Sequence, residues 1–210
     1  MKKKKDLIIF DLDGVLLDSI KVMEFAWKKT LITLKTNNKP PFFKYKKLIG
    51  LPFFSILKKL NFKKKEFKKI KFFYNKFSIF YANKFKLKIK NHYINVLRKL
   101  KKNKIKICIF TSKSKNRTVS IIKNSKFKFD YVVTADDVLH GKPNPHGINI
   151  ILKNFKISKK KCIYIGDTIY DLLAARKAGI DYLHANWGYG NSSTGVKKIN
   201  NIFELLKFFN

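Results

Sequence analysis

The segment LIIFDLDGV, residues 7–15, decides the fold class. Its run of four apolar residues predicts a buried strand, and the strand ends at two carboxylates, Asp11 and Asp13. Ligands of open α/β sheets bind beyond the carboxyl ends of the strands, and Gly14 permits a sharp turn there. Two carboxylates this close repel each other, and a hard divalent cation such as Mg²⁺ suits their oxygen atoms. Because an Asp-Gly pair is also a common hairpin turn, this segment alone leaves both interpretations open.

The composition is strongly basic. The 210 residues include 48 Lys and Arg against 13 Asp and Glu, which gives a net charge of +35, and 45% of them are hydrophobic. This length accommodates one large core and a small second unit. Nearly all of the positive charge is lysine spread along the chain, whereas nucleic-acid surfaces favour the bidentate fork of arginine. We therefore expect solvated lysines that attract small anions and no specific nucleic-acid site; the alternative is a basic face that binds RNA, DNA or anionic lipid.

The cysteines and the apolar runs indicate a cellular compartment. Cys108 and Cys162 lie in apolar, strand-like runs, which favours buried free thiols in a reducing compartment. Residues 1–5 resemble the basic start of a signal peptide, but the apolar run that follows is four residues long and ends at Asp11. No segment approaches the roughly 18 apolar residues of a membrane span. We therefore predict a cytoplasmic protein without a membrane span.

Apolar residues recur at helical spacing from residue 16 to residue 88, with no strand pattern among them. Three such stripes begin at Val22, Phe53 and Phe67. Asp18 or Ser19 can cap the first helix. The third stripe is rich in aromatics and resembles a base-stacking platform, but its helical spacing favours packing in a core. We predict a helical insertion over residues 17–88.

The pattern changes at residue 91 to strands that alternate with helices. Strand-like runs lie at residues 105–110, 131–133, 162–165 and 182–185, and a closing helix is expected over 203–208. This alternation is typical of a parallel, doubly wound sheet. We predict an α/β, Rossmann-like core formed by residues 1–16 and 89–210, with the helical insertion as a small second domain.

Polar side chains of complementary type follow several of the predicted strands. Thr111 and Ser112 follow the run at 105–110. Asp167 follows the run at 162–165, and Asp171 lies on the same side of the next helical turn. The carboxyl ends of parallel strands meet at one edge of a sheet, so these groups are expected near Asp11.

Lys142 lies in the segment GKPNP, residues 141–145, whose prolines restrict the backbone. Asn144 and Pro145 predict the N-cap and the first residue of the next helix. His140 and His146 flank the segment, and we interpret them as loop or helix-start residues without a catalytic role.

Four segments, in this order, resemble motifs I to IV of the haloacid dehalogenase (HAD) superfamily. They are DLDGV at 11–15, FTSK at 110–113, GKPNP at 141–145 and GDTIYD at 166–171. The helical insertion follows the first of them, as does a helical cap of the C1 type in that superfamily. The resemblance covers essentially the whole chain, and it is greatest to the phosphoglycolate phosphatases: the segments IGLP at 49–52 and NWGYG at 186–190 are similar to loops of those enzymes.

The resemblance implies a role for each acidic motif residue. Asp11 is expected to be the nucleophile that forms an aspartyl-phosphate, and Asp13 the general acid and then the general base. Mg²⁺ is expected on the Asp11 carboxylate, the backbone carbonyl of Asp13 and Asp167. Asp171 is expected to orient the water molecules of the metal.

The resemblance also implies a phosphate site. Thr111, the backbone of Ser112 and Lys142 are expected to hold the phosphoryl oxygens and to offset the charge that develops on them. Gly50 and Leu51 are expected to contact the substrate from the cap.

Asp13 distinguishes subgroups of the superfamily, because dehalogenases lack this second aspartate. The resemblance therefore implies a Mg²⁺-dependent phosphatase of small, acidic phosphomonoesters, with 2-phosphoglycolate as the first candidate. A β-phosphoglucomutase-like phosphomutase and a pyrophosphatase are the alternatives within the superfamily, and a basic nucleic-acid-binding protein is the alternative outside it. The expected partner is a small phosphorylated metabolite, and the expected assembly is a monomer or a homodimer.

Overall fold

The computed structural model describes residues 5–209. Residues 1–4, which carry most of the resemblance to a signal peptide, lie outside the described residues. Within residues 5–209, six strands form one parallel sheet in the order β3-β2-β1-β4-β5-β6. They are β1 (Leu7–Phe10), β2 (Lys106–Phe110), β3 (Tyr131–Val133), β4 (Cys162–Gly166), β5 (Asp181–Ala185) and β6 (Lys198–Ile199).

Helices occupy the connections between the strands. Four lie between β1 and β2: α1 (Ile20–Leu34), α2 (Phe42–Lys46), α3 (Phe53–Lys59) and α4 (Phe67–Lys84). The others are α5 (Asn91–Lys102), α6 (Lys115–Asn124), α7 (His146–Phe155), α8 (Ile169–Ala178) and α9 (Glu204–Phe209). Short 3₁₀ turns lie at Lys64–Glu66, Ala135–Asp137 and Lys159–Lys161. No helix within residues 5–209 is long and apolar enough to cross a bilayer.

Strand β1 lies at the centre of the sheet and is buried on both faces. It pairs with β2 on one side and with β4 on the other. Because successive side chains of a strand point to opposite faces, Ile8 and Phe10 pack with α5 and α9, whereas Leu7 and Ile9 pack with α7 and α8. This burial explains why the strand reads as an unbroken apolar run.

Helices α1 to α4 share an apolar cluster of their own, separate from the two clusters that flank the sheet. Trp27 of α1 is buried there, with its ring centroid 4.8 Å from that of Tyr45 and 6.5 Å from that of Tyr74. Ile70 and Tyr74 of the aromatic stripe are buried in this cluster, in line with its helical spacing. We call residues 17–88 the cap; these boundaries stay a prediction.

The α/β fold class is confirmed, and the differences from the sequence analysis are local. Strand β6 and helix α2 were not predicted. Ser19 is the N-cap residue of α1, but its side chain makes no capping hydrogen bond. Helix α7 begins at His146 with Pro145 as its N-cap, one residue later than predicted, and the side chain of Asn144 accepts a hydrogen bond from the backbone N–H of His146 at 2.9 Å.

Candidate active site

The predicted site residues meet at the carboxyl edge of the sheet. Asp11 and Asp13 follow β1, Thr111 follows β2 and Asp167 follows β4. All four are buried, although each carries a polar side chain. Lys142 reaches the same edge from the loop between β3 and α7, and its side chain is wholly buried. A buried polar group needs a partner or a ligand.

Lys142 binds two carboxylates. Its Nζ lies 2.7 Å from Asp11 Oδ1 and 2.7 Å from Asp171 Oδ1. Burial alone would lower the pKa of Lys142, but the two carboxylates outweigh burial and raise the pKa above its ordinary value. Lys142 is therefore a fixed positive charge beside Asp11.

Asp171 is saturated with hydrogen bonds. Its Oδ1 also accepts from the Tyr164 hydroxyl at 2.8 Å, and its Oδ2 accepts from the backbone N–H and the hydroxyl of Thr168 at 3.0 and 2.6 Å. Burial favours a raised pKa for Asp171, but the charge of Lys142 and these bonds outweigh it and lower the pKa. Both oxygens therefore have protein partners, as is typical of a carboxylate that orients the neighbouring residues of a site.

Asp11, Asp167 and Asp171 form an acidic cluster in which one carboxylate oxygen of each residue lies within 4.8 Å of the others. Asp167 Oδ2 accepts from the backbone N–H of Tyr189 at 2.6 Å, whereas Asp167 Oδ1 is buried without a hydrogen-bond partner within residues 5–209. Burial, followed by the neighbouring carboxylates, raises the pKa of Asp167 well above its ordinary value. Burial likewise raises the pKa of Asp11 to about 7.

This donor set fits a divalent cation. It offers hard oxygen ligands, and one buried carboxylate oxygen has no partner among the described residues, a partner that a cation would supply. A bound cation would also relieve the repulsion that raises the pKa values of Asp11 and Asp167. Among the predicted ligands, Asp11 and Asp167 contribute carboxylates to this cluster.

Asp13 has different surroundings from Asp11. Its Oδ1 accepts hydrogen bonds from the Ser19 hydroxyl and from Lys113 Nζ, the latter at 2.9 Å. Lys113 is buried, and burial, reinforced by the nearby charge of Arg117, lowers its pKa to about 8. The two strand-end aspartates are thus held by different lysines, which suits different chemical roles.

The sequence analysis did not identify Lys113 or Ser19 as site residues. Lys113 lies inside the quoted FTSK segment, but a lysine in so lysine-rich a chain carries little signal. The sequence indicates only a helix-cap role for Ser19, and its contact with Asp13 depends on the tertiary fold.

A cavity of about 260 Å³ separates the strand ends from the cap. Thr111, Ser112, Gly50 and Leu51 line it together with both strand-end aspartates and Lys142. The Ser112 hydroxyl donates to the Gly50 carbonyl at 2.6 Å and so joins the core to the cap. The structure therefore brings the predicted phosphate-site residues together around one small cavity.

The loop after β5 encloses Asp167 from the other side. A Cβ on Gly188 would lie 2.1 Å from the Asp167 Cβ, and one on Gly14 would lie 2.2 Å from Asp167 Oδ2. Gly14 also has a positive φ of 87°. These glycines permit the backbone to approach the carboxylate closely.

Of the two histidines that flank the segment at 141–145, His140 is exposed and His146 is half-buried.

A parallel α/β sheet with an acidic cluster and a buried lysine at its carboxyl edge is typical of enzymes that act on small anionic substrates. The sequence profile of the haloacid dehalogenase-like hydrolases matches residues 8–185, and the chain belongs to this family. The sequence-based prediction of a phosphatase enzyme of this superfamily is confirmed.

Individual proteins similar to this chain include enzymes and solved structures. Pyrophosphatase PpaX of Bacillus thuringiensis (strain Al Hakam) is 28% identical over 189 residues, which cover 88% of this chain and 84% of that protein. A structure described as a phosphoglycolate phosphatase from Lactobacillus plantarum has a TM-score of 0.85 at 18% identity and covers 98% of this chain and 100% of its own. CbbY from Rhodobacter sphaeroides, in complex with xylulose-1,5-bisphosphate, has a TM-score of 0.86 at 15% identity. The match covers 98% of this chain and 99% of the CbbY chain. These two structures support the fold.

Proposed function

We propose that this protein is a Mg²⁺-dependent phosphatase of small phosphorylated metabolites and that it acts through an aspartyl-phosphate on Asp11. The observation that carries the proposal is the setting of Asp11. It is buried at the end of the central strand, 2.7 Å from Lys142, in an acidic cluster, and it lines a small cavity. Asp11, Asp167 and the backbone carbonyl of Asp13 would hold Mg²⁺, which would neutralise charge on the carboxylates and on the phosphoryl group.

In the first step, an Asp11 carboxylate oxygen attacks the phosphorus, and the bond between phosphorus and the leaving oxygen breaks. Asp13 gives its proton to that oxygen and is left ionised, beside the ammonium of Lys113. Lys142 stays close to the reacting carboxylate and offsets charge on the phosphoryl oxygens. Thr111 and the Ser112 backbone orient the same oxygens.

In the second step, Asp13 takes a proton from water, and the water oxygen attacks the phosphorus of the aspartyl-phosphate. The bond between Asp11 and phosphorus breaks, inorganic phosphate leaves, and Asp11 is again a free carboxylate. Asp13 is protonated once more and ready for the next cycle. The hydrogen bonds from Ser19 and Lys113 hold Asp13 in position for both proton transfers.

The cavity favours small substrates. A volume of about 260 Å³ suits a phosphate group with a few further atoms. We propose 2-phosphoglycolate as the first candidate. Pyrophosphate is the second, because pyrophosphatase PpaX is similar to this chain over 88% of its length. A β-phosphoglucomutase-like mutase would use the same nucleophile but would have to delay hydrolysis of the aspartyl-phosphate.

The first test measures phosphate release from 2-phosphoglycolate, pyrophosphate and a panel of small phosphomonoesters, with Mg²⁺ and with EDTA. Wild type should turn over at least one substrate in Mg²⁺ only, and Asp11→Asn should lower kcat by about 1,000-fold or more, since the nucleophile is lost. Asp18→Asn, which alters an exposed aspartate, is the matched control and should keep wild-type turnover.

Two outcomes would contradict the proposal. One is an Asp11→Asn variant that retains a tenth or more of wild-type turnover. The other is a folded wild type that releases phosphate from none of these compounds; isomerisation of glucose 1-phosphate would then test the mutase. The substrate with the highest kcat/KM distinguishes a phosphomonoesterase from a pyrophosphatase.

A further inference from the structure

Among residues 5–209, four cationic side chains line the cavity beside the acidic cluster: Lys71, Lys113, Arg117 and Lys142. Three of them already have carboxylate partners. Lys142 binds Asp11 and Asp171, Lys113 binds Asp13 at 2.9 Å, and Lys71 lies 3.5 Å from Asp136.

Arg117 differs from the other three cations. Within residues 5–209, its guanidinium makes no ion pair and no hydrogen bond. The residue is half-buried and faces the same cavity as Asp11. A cation in this position gains its missing partner when an anion enters the cavity.

Arg117 is held in place by an aromatic platform of the cap. Its Cζ lies 5.1 Å from the ring centroid of Tyr74 on α4. Tyr74 is buried and its hydroxyl bonds with that of Tyr45 at 2.8 Å, so the platform is fixed. A guanidinium positioned over an aromatic ring can still offer its N–H donors to an anion.

The choice of arginine at this position stands out from the composition. All but three of the 48 basic residues are lysine. The other two arginines, Arg98 and Arg176, lie exposed on α5 and α8. A lysine would supply charge alone, whereas the planar fork of arginine can also bind two oxygens of a carboxylate or a phosphoryl group.

We propose that Arg117 is the specificity-determining residue that binds a second anionic group of the substrate, adjacent to the phosphoryl group that is transferred. This inference rests on the proposed phosphatase function. The small cavity requires the two anionic groups to lie close together. The substrate class is therefore a compact phosphate compound with an anionic group at each end, either a carboxylate or a second phosphoryl group.

The experiment compares 2-phosphoglycolate and pyrophosphate with ethyl phosphate, which matches 2-phosphoglycolate in length but lacks the carboxylate. Wild type should prefer one of the doubly anionic substrates. Arg117→Met should lower kcat/KM for that substrate by about 10- to 100-fold, chiefly by raising KM. This is the size of effect expected when a charge-assisted hydrogen bond is lost. For ethyl phosphate kcat/KM should stay within about twofold. If 2-phosphoglycolate loses kcat/KM in this variant, Arg117 binds a carboxylate; if pyrophosphate does, Arg117 binds a second phosphoryl group.

Two further variants act as controls. Arg117→Lys keeps the charge but loses the fork, and it should restore part of the preference. Arg98→Met removes an exposed arginine of α5 and should leave all three substrates unaffected. Equal losses of kcat/KM for all three substrates in Arg117→Met would indicate a structural role and overturn the inference. Equal wild-type kcat/KM for 2-phosphoglycolate, pyrophosphate and ethyl phosphate would also overturn it.

Binding to an inactive background separates this inference from the proposed function. On Asp11→Asn, either 2-phosphoglycolate or pyrophosphate should raise Tm more than ethyl phosphate does, and the difference should vanish when Arg117→Met is added. If wild type turns over no substrate but this difference is present, the proposed function fails while anion binding by Arg117 stands. If wild type is an active phosphatase but no such difference is present, the inference about Arg117 fails.

Discussion

Lys142 keeps its charge in surroundings that would ordinarily remove it. Its side chain is fully buried, and its Nζ lies 5.2 and 5.4 Å from the ring centroids of Phe110 and Tyr164. The carboxylates of Asp11 and Asp171 offset the cost of burying the ammonium. Loss of either carboxylate would leave the buried Lys142 ammonium with a single carboxylate partner. The two aspartates and the lysine therefore act as one unit, and a change at one of them alters the ionisation of the others.

His184 on β5 makes a contribution to stability that depends on pH. It is 2% exposed, and burial lowers its pKa below the ordinary value of 6.5. The unfolded chain therefore binds a proton more readily than the folded one. The contribution of neutral His184 to the free energy of unfolding is fully present above pH 6.5. It is lost as the pH falls through 6.5 toward the lowered pKa of the folded state. We expect the Tm of wild type to fall more between pH 7.5 and 5 than that of His184→Gln.

His92 provides the matched control, because it is exposed on α5. His92→Gln should leave the pH dependence of Tm unchanged. Parallel Tm curves for wild type and His184→Gln over the same pH range would contradict the assignment of this acid sensitivity to His184. Differences in Tm between the variants at neutral pH do not affect the test, because it compares how much each Tm changes with pH.

The loop that follows β5 joins three parts of the site. Trp187 Nε1 donates to the Val15 carbonyl at 2.9 Å, and the backbone N–H of Tyr189 donates to Asp167 at 2.6 Å. The Tyr189 hydroxyl accepts from the backbone N–H of Ser19 at 2.6 Å, where the chain enters the cap. This loop therefore positions Asp167 and the link between β1 and α1 together.

Gly188 permits that arrangement, and Gly188→Ala tests it. The added Cβ would lie 2.1 Å from the Asp167 Cβ, so the loop or the carboxylate has to move. We expect a destabilisation of about 1–3 kcal/mol from overpacking. We also expect the Mg²⁺ concentration for half-maximal activity to rise by about tenfold or more, since the carboxylate loses its position. Thermal unfolding and a Mg²⁺ titration of phosphate release measure the two effects.

Gly179→Ala is the control for stability loss without a change at the site. Gly179 ends α8 with a φ of 71°, and the nearest neighbour of an added Cβ is Lys159 Cδ at 3.5 Å. The strain should cost about 1–2 kcal/mol, while the Mg²⁺ requirement stays as in wild type. An unchanged Mg²⁺ requirement in Gly188→Ala would contradict a role of this loop in placing Asp167.

Sequence patterns predicted the longer elements because burial imposes a regular period on them. The central strands are apolar runs between two covered faces, and α1 and α4 carry stripes at helical spacing. Strand β6 has two residues and α2 has five, which is too short for a period to emerge. The boundaries of α7 moved by one residue because Pro145, rather than Asn144, occupies the N-cap position.

The acidic half of the site was easier to predict than its basic half. With 13 acidic residues in the chain, aspartates at two strand ends are conspicuous. Lysines are so abundant that composition hides those with a buried role. The proline-rich neighbours of Lys142 mark it in the sequence, whereas the site position of Lys113, and the lack of an ion pair at Arg117 among residues 5–209, are visible only in the fold. The roles assigned to these residues stay predictions until the variants are measured.

The whole molecule combines a positive surface with an acidic centre. The net charge is +35, yet the cluster of Asp11, Asp167 and Asp171 is buried at the sheet edge and bears Lys142 as its neighbouring cation. The exposed lysines lie on the core and on the cap. This distribution attracts anions from solution, while the buried carboxylates favour a cation at the reaction centre. The exposed lysines thus attract the anionic substrate over long range, whereas the buried carboxylates and Lys142 serve the reaction itself.

This arrangement predicts a capture rate that depends on salt. Because charges on the surface are screened over about 10 Å at 0.1 M salt, kcat/KM for 2-phosphoglycolate should fall by about fivefold or more between roughly 20 and 300 mM KCl. Ethyl phosphate carries one charge fewer, so its kcat/KM should fall less steeply, and kcat at saturation should change little for both. The measurement is initial rate against substrate concentration at each salt concentration. Equal slopes for the two substrates would mean that screening acts on the common phosphoryl site alone, and the surface lysines would then have no part in substrate capture.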